Sequence, residues 1–127
     1  MMGKNFDLQD RLINFAVRII KLVEYLPNSK VGNHIRSQII RSGTSPASNY
    51  GEAQSAESRS DFVHKLKISL KELRETEVWL KIVIKSNLIE DKRLEPLLKE
   101  NNELISILFK SIQTAKQNKE IEMKNKS

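Results

Sequence analysis

Apolar residues recur from Leu8 to Leu26 at Leu8, Leu12, Phe15, Ile19, Val23 and Leu26, in steps of three and four that put them on one helical face. Pro27 ends that helix. A second segment opens after Asn28 and Ser29, either of which can cap free amides, and carries Val31, Ile35 and Ile39 at steps of four. The small-residue run Arg41-Ser42-Gly43-Thr44-Ser45-Pro46-Ala47-Ser48-Asn49 then admits two readings. Ser45 could cap a new helix with Pro46 at its first position, or one long helix could kink at Pro46. The pattern itself mildly favours the break. Ser58-Arg59-Ser60-Asp61 is a capping box of the Ser-x-x-acid type, and a strongly periodic helix follows to about Ser86-Asn87. Asp91 is positioned to cap a last helix in which Leu94, Leu97, Leu98, Asn101, Ile105, Leu108 and Ile112 share a face, with Pro96 tightening or kinking its opening turns.

Four such helices with short connections pack most simply as an antiparallel, up-down-up-down four-helix bundle, an all-α fold. The expected arrangement is one domain over residues 1–127, with an ordered core over about 6–116 and a charged tail, 117–127, that frays. On a helical wheel the third helix places Phe62, Leu66, Leu73, Leu80 and Ile84 toward the core. Ile68, Trp79, Ile82 and Val83 fall on another side, as do Ile13, Val17 and Ile20 on the first helix. Apolar surface beyond what one core needs points to a self-association interface, the competing reading being a wide core whose edges these residues line.

The same wheel gathers Lys67, Lys71, Arg74, Lys81 and Lys85 within an arc of about 80° on a helix of about 3.6 residues per turn. Arg11 and Arg18 make a weaker second patch. A formal charge of +6 over 127 residues biases the surface toward polyanions, and a basic stripe could track a phosphate backbone. It could equally be a solvated face that keeps the protein soluble. Aromatics are few and not interleaved with the cations, so any nucleic-acid binding would be backbone-driven rather than built on base stacking. No stretch reaches the ~18 uninterrupted apolar residues of a membrane span, and the start lacks a signal-peptide core. No cysteine is present, which rules out disulfides and thiolate chemistry and fits a cytoplasmic address.

Catalytic chemistry has little to draw on. A bundle-type di-iron site needs two Glu-x-x-His pairs and two further Glu. Only His34 and His64 exist; Asp61 precedes His64 by three, and Val31 holds the equivalent place before His34. No spacing ties either His to a Ser, and Gly3, Gly32, Gly43 and Gly51 form no phosphate-cradling loop. Glu72, Glu75 and Glu77, on a Lys-rich helix, read as ion-pair partners rather than as an acid and a base. The expectation is a non-enzyme with no metal and no cofactor.

The run from Arg41 to Ala53, with Ser60-Asp-Phe-Val-His-Lys-Leu-Lys67 and Lys71-Glu-Leu-Arg-Glu-Thr-Glu-Val-Trp-Leu80, resembles the four-helix-bundle family first noticed in proteins encoded by intervening sequences of bacterial 23S rRNA genes. The likeness spans about Phe6 to Lys116. Asn49, Glu52, Phe62, Glu72, Glu75, Thr76 and Trp79 fall where that pattern expects such residues, and Glu103-Leu104 also fits. One departure is Pro46-Ala47-Ser48 followed by Tyr50-Gly51, where many members carry an aliphatic residue before Glu52. More distantly the chain resembles the accessory variability determinant of diversity-generating retroelements, a basic bundle that forms a ring of five and contacts nucleic acid and a reverse transcriptase. The resemblance implies one continuous helix kinked near Pro46 and a homopentamer. The functional expectation is an oligomeric bundle that associates with RNA or DNA through its basic helix face. The alternative is a homo-oligomeric scaffold or adaptor that meets a protein partner and no nucleic acid.

Overall fold

In a computed structural model the chain is described over residues 4–126, with side chains described for 8–118 and 120–125. Met1 to Gly3 and Ser127, part of the expected single domain, lie outside the described residues. The helices are α1 (Lys4–Leu22), α2 (Lys30–Gln54), α3 (Arg59–Ser86) and α4 (Asp91–Lys126), with a 3-10 turn, Val23–Tyr25, after α1. Each helix packs on its chain neighbours, and α4 closes back on α1, so α1 and α3 stand diagonally across the bundle. The four-helix bundle expected from periodicity is the fold.

Every core position read from the sequence between Leu8 and Leu26 is buried: Leu8, Leu12, Phe15 and Ile19 on α1, Val23 in the 3-10 turn and Leu26 after it. α1 tightens into the 3-10 turn because Leu26, preceding Pro27, is pushed to an extended conformation (φ −72°, ψ 144°). Arg36 of α2 caps the exposed carbonyls of this turn, donating from Nε to Val23 O at 3.2 Å and from Nη2 to Leu26 O at 2.9 Å. Ser29 is the cap of α2, its Oγ accepting from Gly32 N at 3.1 Å.

α2 runs unbroken through Pro46, which overturns the break favoured by the local pattern and agrees with the resemblance. Proline removes one amide from the helix ladder, and here hydroxyls from α3 reach across to the same stretch. Ser69 Oγ donates to Pro46 O at 3.1 Å, and Thr76 Oγ1 donates to Ser42 Oγ at 2.8 Å or to its own Glu72 O at 2.9 Å. Ser42, Ser69 and Thr76 are all fully buried. Small side chains along this run also let α1 approach: a Cβ on Gly43 would meet Ile19 Cγ1 at 2.8 Å.

α3 starts at the expected cap, Ser58 Oγ accepting from Asp61 N at 3.0 Å. It ends on Asn87 in the left-handed region (φ 56°), with Leu88 N–H returning to Val83 O. Its buried line is Val63, Leu66, Ser69, Leu73, Thr76, Leu80 and Val83. Leu66, Leu73 and Leu80 match the expectation, whereas Phe62 and Ile84 are only half-buried at its edges. From Leu66 onward the line keeps a seven-residue repeat, and a wheel turned at a fixed angle drifts from such a repeat by about 20° per heptad.

α4 begins at Asp91 itself, so Asp91 sits in the first turn and favours the helix dipole there. Leu94, Leu97, Asn101, Leu108 and Ile112 are buried as expected, joined by Leu104 and Ala115, while Leu98 and Ile105 are half-buried. The helix continues through the charged segment past Lys116 to Lys126, and Arg59 Nη2 donates to Glu122 Oε1 there at 2.5 Å.

Candidate functional site

The basic stripe is where the wheel placed it. Lys67, Lys71, Arg74, Lys81 and Lys85 are all exposed along one face of α3. Lys81 is held by Glu77 one turn earlier at 3.1 Å. Among the described residues Lys67, Lys71, Arg74 and Lys85 have no carboxylate within ion-pair distance. Their charge is therefore presented to solvent rather than consumed within the fold.

Arg11 is a different case. Its Nε and Nη2 fork the Glu100 carboxylate at 3.0 and 2.7 Å, and Nη2 also reaches Glu103 Oε1 at 3.2 Å. The hydrogen bond to Glu100 raises the guanidinium above its ordinary pKa against a smaller opposing effect of burial. Arg11 is a tie between α1 and α4, so the weaker patch reduces to Arg18, which is exposed and has no such partner among the described residues. Lying on α1, it is on the helix diagonal to the α3 stripe and does not extend it.

The proposed interface residues separate in the same way. Ile13, Val17 and Ile20 form an exposed row on α1, each more than two-fifths accessible, and Ile82 is exposed on α3. Ile68 and Trp79 are half-buried. Val83 belongs to the core, fully buried, because the seven-residue repeat carries it inward beside Leu80. The two groups sit on diagonal helices and make no single patch. Val31, read from the sequence on the apolar face of α2 with Ile35 and Ile39, is exposed instead in the helix's first turn, and exposed Val78 and Phe109 fall outside a regular stripe on their own helices.

Between α2 and α3 lies a polar cluster. Arg41 Nη1 donates to Glu72 Oε2 at 2.8 Å and Nη2 pairs with Glu75, whose Oε2 also accepts from Trp79 Nε1 at 3.1 Å. The ring of His34 stands edge-on to Trp79, centroids 6.0 Å apart. His64 lies several turns away near the start of α3, so the two histidines are not brought together. Among the described residues no group of three or more metal-ligating side chains occurs, and no helix is long and apolar enough to cross a membrane.

A family model described as 23S rRNA-intervening sequence protein matches residues 4–110. The chain belongs to that family. A solved structure, of a protein of unknown function from the S23 ribosomal protein family of Bacteroides thetaiotaomicron VPI-5482, is 39% identical, with a TM-score of 0.78 over 83% of this chain and 97% of that one. No curated protein matches the chain.

In this member of the 23S rRNA-intervening sequence family, most of the residues that carried the resemblance tie helices together. Glu52 pairs with Lys65 at 2.6 Å, joining α2 to α3; Glu72 and Glu75 hold Arg41; Thr76 meets Ser42; Glu103 meets Arg11. Asn49 acts within α2, donating to Ser45 O at 3.1 Å and to Ser45 Oγ at 3.0 Å beside Pro46. Phe62 flanks the core. Of the α3 lysines only Lys65 is used in this way among the described residues, Lys81 pairing with Glu77 on its own helix. The family signature thus describes how the bundle is assembled, and the unpaired cations are a separate feature.

Proposed function

We propose that this protein is a non-enzymatic, self-associating bundle of the cytoplasm that binds RNA or other nucleic acid through the exposed basic face of α3. The observation that carries the reading is that Lys67, Lys71, Arg74 and Lys85 share one face and have no carboxylate partner among the described residues. Cations spaced along a helix can each displace a counterion from a phosphate backbone, giving binding that weakens steeply with salt and reads sequence little. The α1 row of Ile13, Val17 and Ile20 supports self-association, and a homopentamer, as the distant resemblance implies, would repeat the α3 face around a ring and multiply phosphate contacts.

That α1 row equally supports the second reading, a homo-oligomeric scaffold or adaptor whose partner is a protein. Fluorescence anisotropy of a labelled duplex RNA and a matched duplex DNA, titrated at several salt concentrations, separates the two. The wild type is expected to bind at low salt. Lys71→Glu/Arg74→Glu should bind weakly, with the slope of log K against log salt reduced by about 2. Absence of binding to either duplex at low salt would exclude the nucleic-acid reading and leave the scaffold.

A further inference from the structure

One end of the α3 face is concave. Where α3 and α4 run together near the start of α3, a cavity of about 280 Å³ is lined by Ser60, Val63, His64 and Lys67 from α3 and Lys116 from α4. Val63 is a buried apolar wall, and Lys67, His64 and Lys116 are exposed around it. Lys67 and Lys116 line this cavity from neighbouring helices, and the side-chain interaction with Lys116, together with the repulsion of the two charges, pulls the Lys67 ammonium below its ordinary pKa.

An ammonium group donates and cannot accept, so two of them side by side are a mutual cost unless an anion sits between them. Among the described residues no carboxylate does so. Asp61, six residues before Lys67, acts instead on Lys65, which is already paired with Glu52 at 2.6 Å. The contrast within the molecule is informative: Arg11, Arg41, Arg59, Lys65 and Lys81 each meet a carboxylate. The cations that converge on this cavity from two helices do not.

We infer that the cavity is a binding site for a phosphate dianion, gripped between the ammonium groups of Lys67 and Lys116, with the His64 imidazole as a further donor. A terminal phosphate carries about −1.5 to −2 charges near neutral pH and matches two ammonium groups. A backbone phosphodiester, with one charge, leaves one of the pair uncompensated. The apolar wall at Val63 limits how many donors surround the ligand and leaves one side of the phosphate open for a substituent. Since Lys67 belongs to both features, the inference deepens the phosphate-binding reading of the α3 face, and Lys116 distinguishes the two.

The test is thermal unfolding in inorganic phosphate against chloride at equal ionic strength, for wild type, Lys116→Gln and, as a control of equal charge change on the exposed surface of α1, Lys21→Gln. A ligand bound to the folded state raises the midpoint by mass action. Phosphate should raise the midpoint of wild type and Lys21→Gln alike, and that of Lys116→Gln by less than half as much. No phosphate-specific rise in the wild type, or an equal rise in Lys116→Gln, overturns the site. A second arm compares a single-stranded RNA bearing a 5′-phosphate with the same RNA ending in a 5′-hydroxyl. Several-fold tighter binding of the phosphorylated strand, lost in Lys116→Gln, identifies a strand terminus as the source of the phosphate. Equal binding of both strands beside a Lys116-dependent rise with inorganic phosphate identifies a free phosphate. Failure of the helix-face reading would show separately, as a hydroxyl-ended duplex RNA that does not bind at low salt while the response to inorganic phosphate persists.

Discussion

At the scale of single residues, two helical glycines of α2 should answer the same substitution with opposite signs. Alanine is favoured over glycine inside a helix by up to about 1 kcal/mol. At Gly51 the new methyl would meet the Gln9 amide at ordinary contact distance, 3.6 Å from Oε1 and 4.0 Å from Nε2, so Gly51→Ala should stabilise by about 0.5–1 kcal/mol. At Gly43 it would lie 2.8 and 3.0 Å from two carbons of Ile19, a side chain with no exposed surface into which to retreat. Overpacking of this kind costs about 1–3 kcal/mol and outweighs the propensity gain, so Gly43→Ala should lose about 1–2 kcal/mol. Urea denaturation of both variants checks the pair, and a stabilised Gly43→Ala would mean that α1 and α2 are less closely apposed than the Ile19 contact requires. Sequence showed Gly43 within a run of small residues but could not say which partner made smallness necessary. That information resides in the packing of α1.

At the scale of the element, α2 was the hardest to read, and α1 the easiest. α1 was legible because its core positions are all apolar and recur without interruption from Leu8 to Leu26. Around Pro46 the core-facing positions are instead Ser42, Gly43 and Pro46, with Ser69 and Thr76 bonding to this stretch from α3, so hydropathy carries little signal along this seam. The same gap displaced the α3 stripe: with two hydroxyls on its buried line, Val83 looked like a surface residue. This polar seam makes its own prediction. Thr76→Val keeps the shape but leaves the buried Ser42 hydroxyl without its partner, and should cost about 1–3 kcal/mol. Adding Ser42→Ala removes both members, and the double variant should be less destabilised than the sum of the single ones by at least about 0.5 kcal/mol. Strict additivity in a double-mutant cycle would show that the 2.8 Å contact contributes nothing to the pairing of α2 with α3.

At the scale of the whole molecule, the fold leaves the basic stripe of α3 and the apolar row Ile13, Val17 and Ile20 of α1 on different helices. The stripe of α3 and the row of α1 stand diagonally across the bundle, so a copy that covers Ile13, Val17 and Ile20 need not cover Lys71 or Arg74. Self-association through α1 would then leave the basic faces outward, which is the arrangement a multivalent phosphate binder needs. Apolar residues at these spacings expose a ridge on α1 that contributes nothing to the core beneath it. Val17→Glu/Ile20→Lys places opposite charges on that ridge without altering net charge and touches no buried position. Light scattering should therefore report an oligomer for the wild type and a mass near that of one chain for the variant, with the helical circular dichroism and the affinity per chain for a short duplex RNA retained. An unchanged oligomeric mass would move the interface away from α1, to the α3 side where Ile82 is exposed, and the basic stripe would then have to share its helix with the contact between copies. A monomeric wild type would remove multivalency altogether, leaving at most four unpaired α3 cations to hold a polyanion, and salt dependence no steeper than about 0.9 per phosphate would follow.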